Sequence, residues 1–263
     1  MTEGIPADEV PEQLAASPAG TVTAAGVGVG NTDDGGGHEG VDEYDTLLAV
    51  LGRSHDDDER IAVHEAGHIV VARLLGHPLG GATVDPGPGY EGRVWGEGHV
   101  EAFTNGRGDA SHVREAIAPL MPKPGEDRGS VADVFGSVYD QCVELMAGRA
   151  AERMLLEGEP GTPVDDLRQA RELAMLICTS EKSIETFIAH CDVAAWDLLL
   201  PYGDVVTALC IVLRIKRTLD GAEIDKIIAD LEARKAVAVE HRHRADWRKR
   251  VSSANSFQAG WAE

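Results

Sequence analysis

Apolar residues first recur at a helical period just after the acidic run Asp56-Asp57-Asp58-Glu59. Ile61, Ala62, Ala66, Ile69, Val70 and Leu74 repeat every three to four positions, and Gly76 with Pro78 supplies a stop. The acids suit an N-cap and the positive end of a helix dipole, so a helix is expected over 58–75. From Gly80 the pattern shortens to β-type runs, at 82–84, 92–95 and 100–103, separated by turns such as Pro86-Gly87-Pro88-Gly89. These predict a small sheet of two or three strands. Residues 100–128 read as a polar insertion with a short helix near 111–120. Val134, Val138, Cys142, Leu145, Met146, Ala150 and Met154 then restore the helical period, for a helix from about Ser130 to Leu156. Thr162-Pro163, with Asp165 behind them, opens another through Ser180. Three or four further helices fill Ile184 to about Arg250. The expected class is α+β, predominantly helical, with a small β-sheet beside the helix at 58–75.

Ahead of that helix the pattern fades. Residues 1–55 are rich in Gly, Ala, Thr and Asp and poor in bulky apolar groups, so they cannot bury enough surface to offset their ordering entropy. An acidic, Gly-rich, disordered tail is expected there, with one short stretch, Tyr44–Leu51, suited to a helical turn docked on the body. The ordered domain is expected over 56–240. Beyond it, Arg242, Arg244, Arg248, Lys249 and Arg250 mark 241–263 as a basic C-terminal tail.

Charge narrows the function classes. The 263 residues carry 24 Lys and Arg against 45 Asp and Glu, a formal charge of −21. Residues 1–60 hold 14 acids and two bases, hence −12, and leave −9 for the other 203. Such a surface repels phosphate backbones and anionic lipid, so neither nucleic acid nor membrane is an expected partner. No apolar run approaches the roughly 18–20 residues of a bilayer span, and the acidic start lacks the basic and apolar regions of a secretion signal. Cys142, Cys178, Cys191 and Cys210 form no CxxC pair, which fits free thiols in a reducing compartment. A cytoplasmic protein is expected.

Chemistry concentrates in His64-Glu65-Ala66-Gly67-His68. Imidazoles at i and i+4 share one helix face, a spacing that lets both hold one metal ion. The carboxylate after the first histidine can take a proton from a water that the metal activates and return it to a leaving amine. Zinc suits two neutral imidazoles and a carboxylate. A third ligand is then required. The metzincin extension is excluded, because Val71 and Leu74 stand where it needs Gly and His. Downstream carboxylates remain as candidates: Asp165, Asp166 and Glu152.

With Val71-Ala72-Arg73-Leu74-Leu75-Gly76 behind it, this motif resembles the peptidase domain of the FtsH-type zinc proteases. Ala147-Gly148-Arg149-Ala150-Ala151-Glu152 is similar to that family's GGRAAE segment. Gly161 to Ala170 resembles its stretch ending in ND(L/I)xxAT, and Thr218-Leu219-Asp220-Gly221-Ala222-Glu223-Ile224 its TLDGEEI. The four segments span about 56–227. The resemblance implies a zincin-like helical peptidase domain with Zn2+ on His64, His68 and Asp166, Glu65 as general base, and Glu152 orienting a ligand histidine. Asp165 stands where the family's pair has Asn. Gly92 falls where the family has a glycine in the edge strand that binds extended polypeptide. Nothing reads as a GxxxxGK[ST] loop, since Gly35-Gly36-Gly37 and Gly80-Gly81-Ala82 lack the Lys. The expectation is therefore a free-standing metalloendopeptidase acting on peptides or unfolded protein, with no ATPase of its own and with a separate ATPase or adaptor chain as a conceivable partner. The competing expectation is an inactive zinc-binding relative that recognises peptides or docks on a partner.

Overall fold

The computed structural model describes residues 42–96, 131–161 and 164–259, with Pro119, Met121, Lys123, Gly125 and Glu126 between them. The expected strand at 100–103 lies outside the described residues, as does the expected helix near 111–120 apart from Pro119. So does the expected cap Thr162-Pro163. The described elements run α1 (Glu43–Leu51), α2 (His55–Leu74), β1 (Leu79–Thr83), β2 (Arg93–Gly96), α3 (Val131–Leu155), α4 (Val164–Ala174) and α5 (Glu181–Leu199). A 3-10 turn (Leu200–Tyr202), α6 (Gly203–Lys216), β3 (Thr218–Asp220) and α7 (Gly221–Ala259) follow. Helices dominate and one small antiparallel sheet accompanies them, an α+β arrangement as expected.

The centre of the domain is α2. It begins three residues before the expected 58, because Ser54 caps it: the Ser54 hydroxyl accepts from the Asp57 N–H while the Asp57 carboxylate accepts from the Ser54 N–H. From Ile61 to Ala72 every side chain except His64 is buried, so the helix is enclosed on nearly all sides, with Glu65 and His68 the polar groups taken inside. It packs on α3, α5, α6 and β1. Gly67 permits the closest approach: a Cβ there would stand 2.6 Å from both the Ala147 carbonyl oxygen and the Ala151 Cβ of α3. Gly76, at φ +78°, ends the helix where the sequence placed its stop.

Asp58 is no cap. Its carboxylate is fully buried and accepts from both Arg217 terminal nitrogens (2.7 and 2.9 Å) and from the Tyr44 hydroxyl (2.7 Å), with Arg53 at 3.4 Å. This cluster holds α1 against the body, together with the buried Leu48. An ordered helix thus occupies part of the stretch expected to be tail.

The sheet order is β2-β1-β3, both pairs antiparallel, with Ala82 opposite Val94 on one side and Leu219 on the other. The expected strand at 82–84 is the end of a longer one, and the strand expected at 92–95 starts at Arg93, so Gly92 precedes it. Gly80 and Gly81 leave room for the Trp95 indole, which a Cβ on either would strike. The third strand comes from a region expected to be wholly helical. Arg217 adopts φ 68° and breaks α6, and the next three residues pair with β1.

Two further boundaries differ from expectation. α4 ends at Ala174 rather than Ser180, since Ser180 and Ser183 cap the next helix reciprocally. α7 continues without a break across 240 to Ala259, so the residues expected as a separate basic tail prolong a helix. In addition, Glu181–Lys216 contains an 18-residue window of mean hydropathy 1.8, apolar and long enough to match a membrane span by length and composition, contrary to the sequence-based expectation. The stretch is α5 and α6 joined by the 3-10 turn. Cys191, Ala195, Leu199, Val206, Leu209 and Leu213 face the domain core.

Candidate metal centre

Three polar side chains converge on one face of α2. Helical spacing puts His64 and His68 a turn apart, with ring centroids 4.7 Å apart and the planes 73° from parallel. From the first turn of α4, Asp166 brings its Oδ2 to 3.0 Å from His64 Nε2 and 3.5 Å from His68 Nε2. The three donor atoms all lie within 4.8 Å of one another. For comparison, a tetrahedral zinc with bonds of about 2.0–2.1 Å sets ligand atoms about 3.3 Å apart. The donor set fits such an ion in both chemistry and spacing.

The far nitrogen of each ring is held by α3. His64 Nδ1 donates to Glu152 Oε1 (2.6 Å), and His68 Nδ1 donates to the Glu144 carbonyl oxygen (2.7 Å). A carbonyl oxygen only accepts, so the His68 Nδ1 must carry the proton, and in the neutral ring the Nε2 lone pair faces Asp166. Glu152 is buried, and its second oxygen accepts from the Gly161 N–H (2.7 Å), on the loop leading to α4. One carboxylate therefore links the helix bearing the histidines to the segment bearing Asp166.

Asp165 points elsewhere. Its carboxylate binds Arg168 (2.7 Å) and Gln169 (2.6 Å) on its own helix. Neighbouring helical residues diverge by about 100°, and the geometry brings Asp166 to the imidazoles and not Asp165. Glu65 is 5% exposed, and no hydrogen bond reaches its carboxylate among the described residues. Gly92 lies directly against it: a Cβ on Gly92 would stand 2.7 Å from Glu65 Oε1 and 2.8 Å from Ile61 Cγ2. His99 and His112 are outside the described residues, and His241 and His243 are exposed on α7.

Electrostatics follow from this packing. Burial pushes the Glu65 carboxyl up to about 7 against the opposing pull of His64 and His68. For His64, burial disfavours the charged ring, yet the hydrogen bonds to Asp166 and Glu152 prevail and raise it to about 10. Asp166 is held well below the usual carboxylate range, the two histidines outweighing its burial. These are the titrations of a metal-free cluster. Loading a cation there must displace protons from the imidazoles.

Sequence reasoning passed over Glu144 and the roles of Gly148 and Gly161. Gly148 lies under the His64 ring, and a Cβ at that position would collide with the imidazole. Glu144, Gly148 and Glu152 stand at i, i+4 and i+8, one stripe of α3 turned toward α2, so a helical projection carried the signal. No protein-family model matches this chain, and no curated protein matches it.

Proposed function

We propose that this chain is a zinc-dependent metalloendopeptidase of zincin-like fold, similar to the FtsH-type peptidase domain, that hydrolyses peptides or unfolded polypeptides without an ATPase of its own. The observation that carries this reading is the convergence of His64, His68 and Asp166 beside the buried Glu65 carboxylate, which accepts no hydrogen bond among the described residues. His64, His68 and Asp166 would hold the metal. Zinc in that position supplies Lewis acidity, polarising a carbonyl and making a water easier to deprotonate.

The chain's own residues do the rest. Glu65 takes a proton from the attacking water as its oxygen bonds to the carbonyl carbon. The same carboxyl then delivers that proton to the amine nitrogen as the C–N bond breaks. Glu65 stands in sequence directly after the first histidine and is buried beside the donor cluster, so one carboxyl can serve both transfers without leaving its place. Glu152 and the Glu144 carbonyl keep the imidazoles turned. The β2 edge beside Gly92 offers an extended substrate a backbone to pair with.

The test is cleavage of casein, an unstructured substrate, by zinc-loaded protein, with E65Q as the paired control. Wild type should cleave, and E65Q should keep one zinc per chain while losing at least about a hundredfold in rate. Zinc bound by both without cleavage by either would instead favour a binding protein that recognises peptides.

A further inference from the structure

We propose that Arg53 is a positioning residue for the Glu65 site, acting by stapling the two ends of the connection between β1 and β2. Its guanidinium, 8% exposed, donates from one nitrogen to the Val84 carbonyl oxygen (2.5 Å) and from the other to the Glu91 carbonyl oxygen. Val84 follows β1, and Glu91 immediately precedes Gly92, which lies so near the Glu65 side chain that a Cβ there would stand 2.7 Å from its Oε1. A single planar cation thus ties together the two ends of the eight-residue stretch 84–91 and sets the residue that walls the carboxylate. A planar fork with several fixed donors suits two carbonyls better than the point charge of an ammonium.

The staple is itself anchored. Asp58 lies 3.4 Å from Arg53, and Asp58 is in turn gripped by Arg217 and by the Tyr44 hydroxyl. Arg217 also reaches from the strand side to the Asp85 carboxylate (2.9 Å), at the start of the same connection. Its backbone sits at φ 68°, unusual for a residue with a side chain, and holding such a conformation requires the surroundings to over-determine it. From the other side, Arg60 pairs with the exposed Glu91 carboxylate (2.9 Å). The His64, His68 and Asp166 donors are fixed independently, by α3 and α4. Loss of Arg53 should therefore disturb the wall beside Glu65 and leave the metal donors in place.

The proposal rests on the peptidase reading only for its kinetic arm. In zinc-loaded full-length protein, R53A should lower kcat about tenfold or more while zinc affinity stays within about twofold of wild type. R53K should recover part of the loss, because it keeps the charge and one bond at a time. Hydrogen exchange provides the second arm: in R53A the backbone amides of residues 84–95 should exchange faster, with those of α2 and α3 unchanged. Unaltered kcat in R53A would overturn the proposal. So would zinc affinity and exchange protection falling together across the domain, which marks a merely structural residue. If the wild type cleaves nothing, the peptidase reading fails by itself. The exchange arm still decides whether Arg53 sets the segment beside Glu65, and unchanged exchange there would refute it.

Discussion

A methyl group decides the fate of the imidazole at position 64. Gly148 leaves the space that ring occupies against α3, since a Cβ there would stand 2.4 Å from His64 Nε2, so G148A must turn the ring or part the helices. The expected outcome is at least about a tenfold loss of zinc affinity with helical content retained, measured by competition with a chromophoric chelator alongside circular dichroism. Glu65 makes a second residue-scale prediction, for metal-free protein. Its folded carboxyl titrates near 7, above the ordinary value of 4.5, so the folded chain binds the proton more tightly than the unfolded one. That contribution is present below about 4.5 and lost as pH rises through 7. Between pH 5 and pH 8, wild type should therefore lose on the order of 1–3 kcal/mol more unfolding free energy than E65Q, in urea titrations with chelator present. Equal losses in the two proteins would place the burial cost elsewhere. The histidine pair and the following carboxylate were legible as a motif. Asp165 and Asp166 were not separable by residue type, since only the helical rotation about α4 distinguishes them.

At the level of elements, legibility tracked the length and continuity of the apolar repeat. α3 spans 25 residues and matched its expected bounds to within a residue, with Val134, Val138, Cys142 and Met146 all buried. β3 spans three, too few for an alternating pattern to register, and it exists because β1 offers an open edge and Arg217 turns the chain into it. The acids expected to start α2 do lie in its first turn, where Asp57 completes the cap with Ser54, but Asp58 plays another part. An N-cap and a buried ion-pair partner look alike in sequence, and Asp58 proved to be the second. Three donors, from α1, the α1–α2 connection and the α6–β3 junction, meet on that carboxylate, and with both charges out of water neither can be removed alone without stranding the other. Its titration sits below the ordinary range, because the Arg217 and Tyr44 hydrogen bonds outweigh the burial that opposes ionisation. D58N should destabilise the domain by about 3–5 kcal/mol in denaturant unfolding, with α1 showing the earliest loss of exchange protection.

Across the whole molecule, the donor atoms come from far apart in the chain: His64 and Asp166 are separated by 102 positions, with all of α3 between them. The imidazole pair exists only once α2 is helical, and Asp166 joins it only after α4 has docked on α3. A cation would then meet its complete donor set late, past the folding barrier. Contacts absent from the transition state act on unfolding alone. Zinc should slow unfolding at least about tenfold and leave the refolding rate unchanged, as read by stopped-flow fluorescence with and without chelator; refolding accelerated in step would put the site inside the nucleus instead. A chain that behaved so would form as quickly in metal starvation as in plenty but differ in how long it lasts, and metal supply would set its abundance through turnover rather than through synthesis.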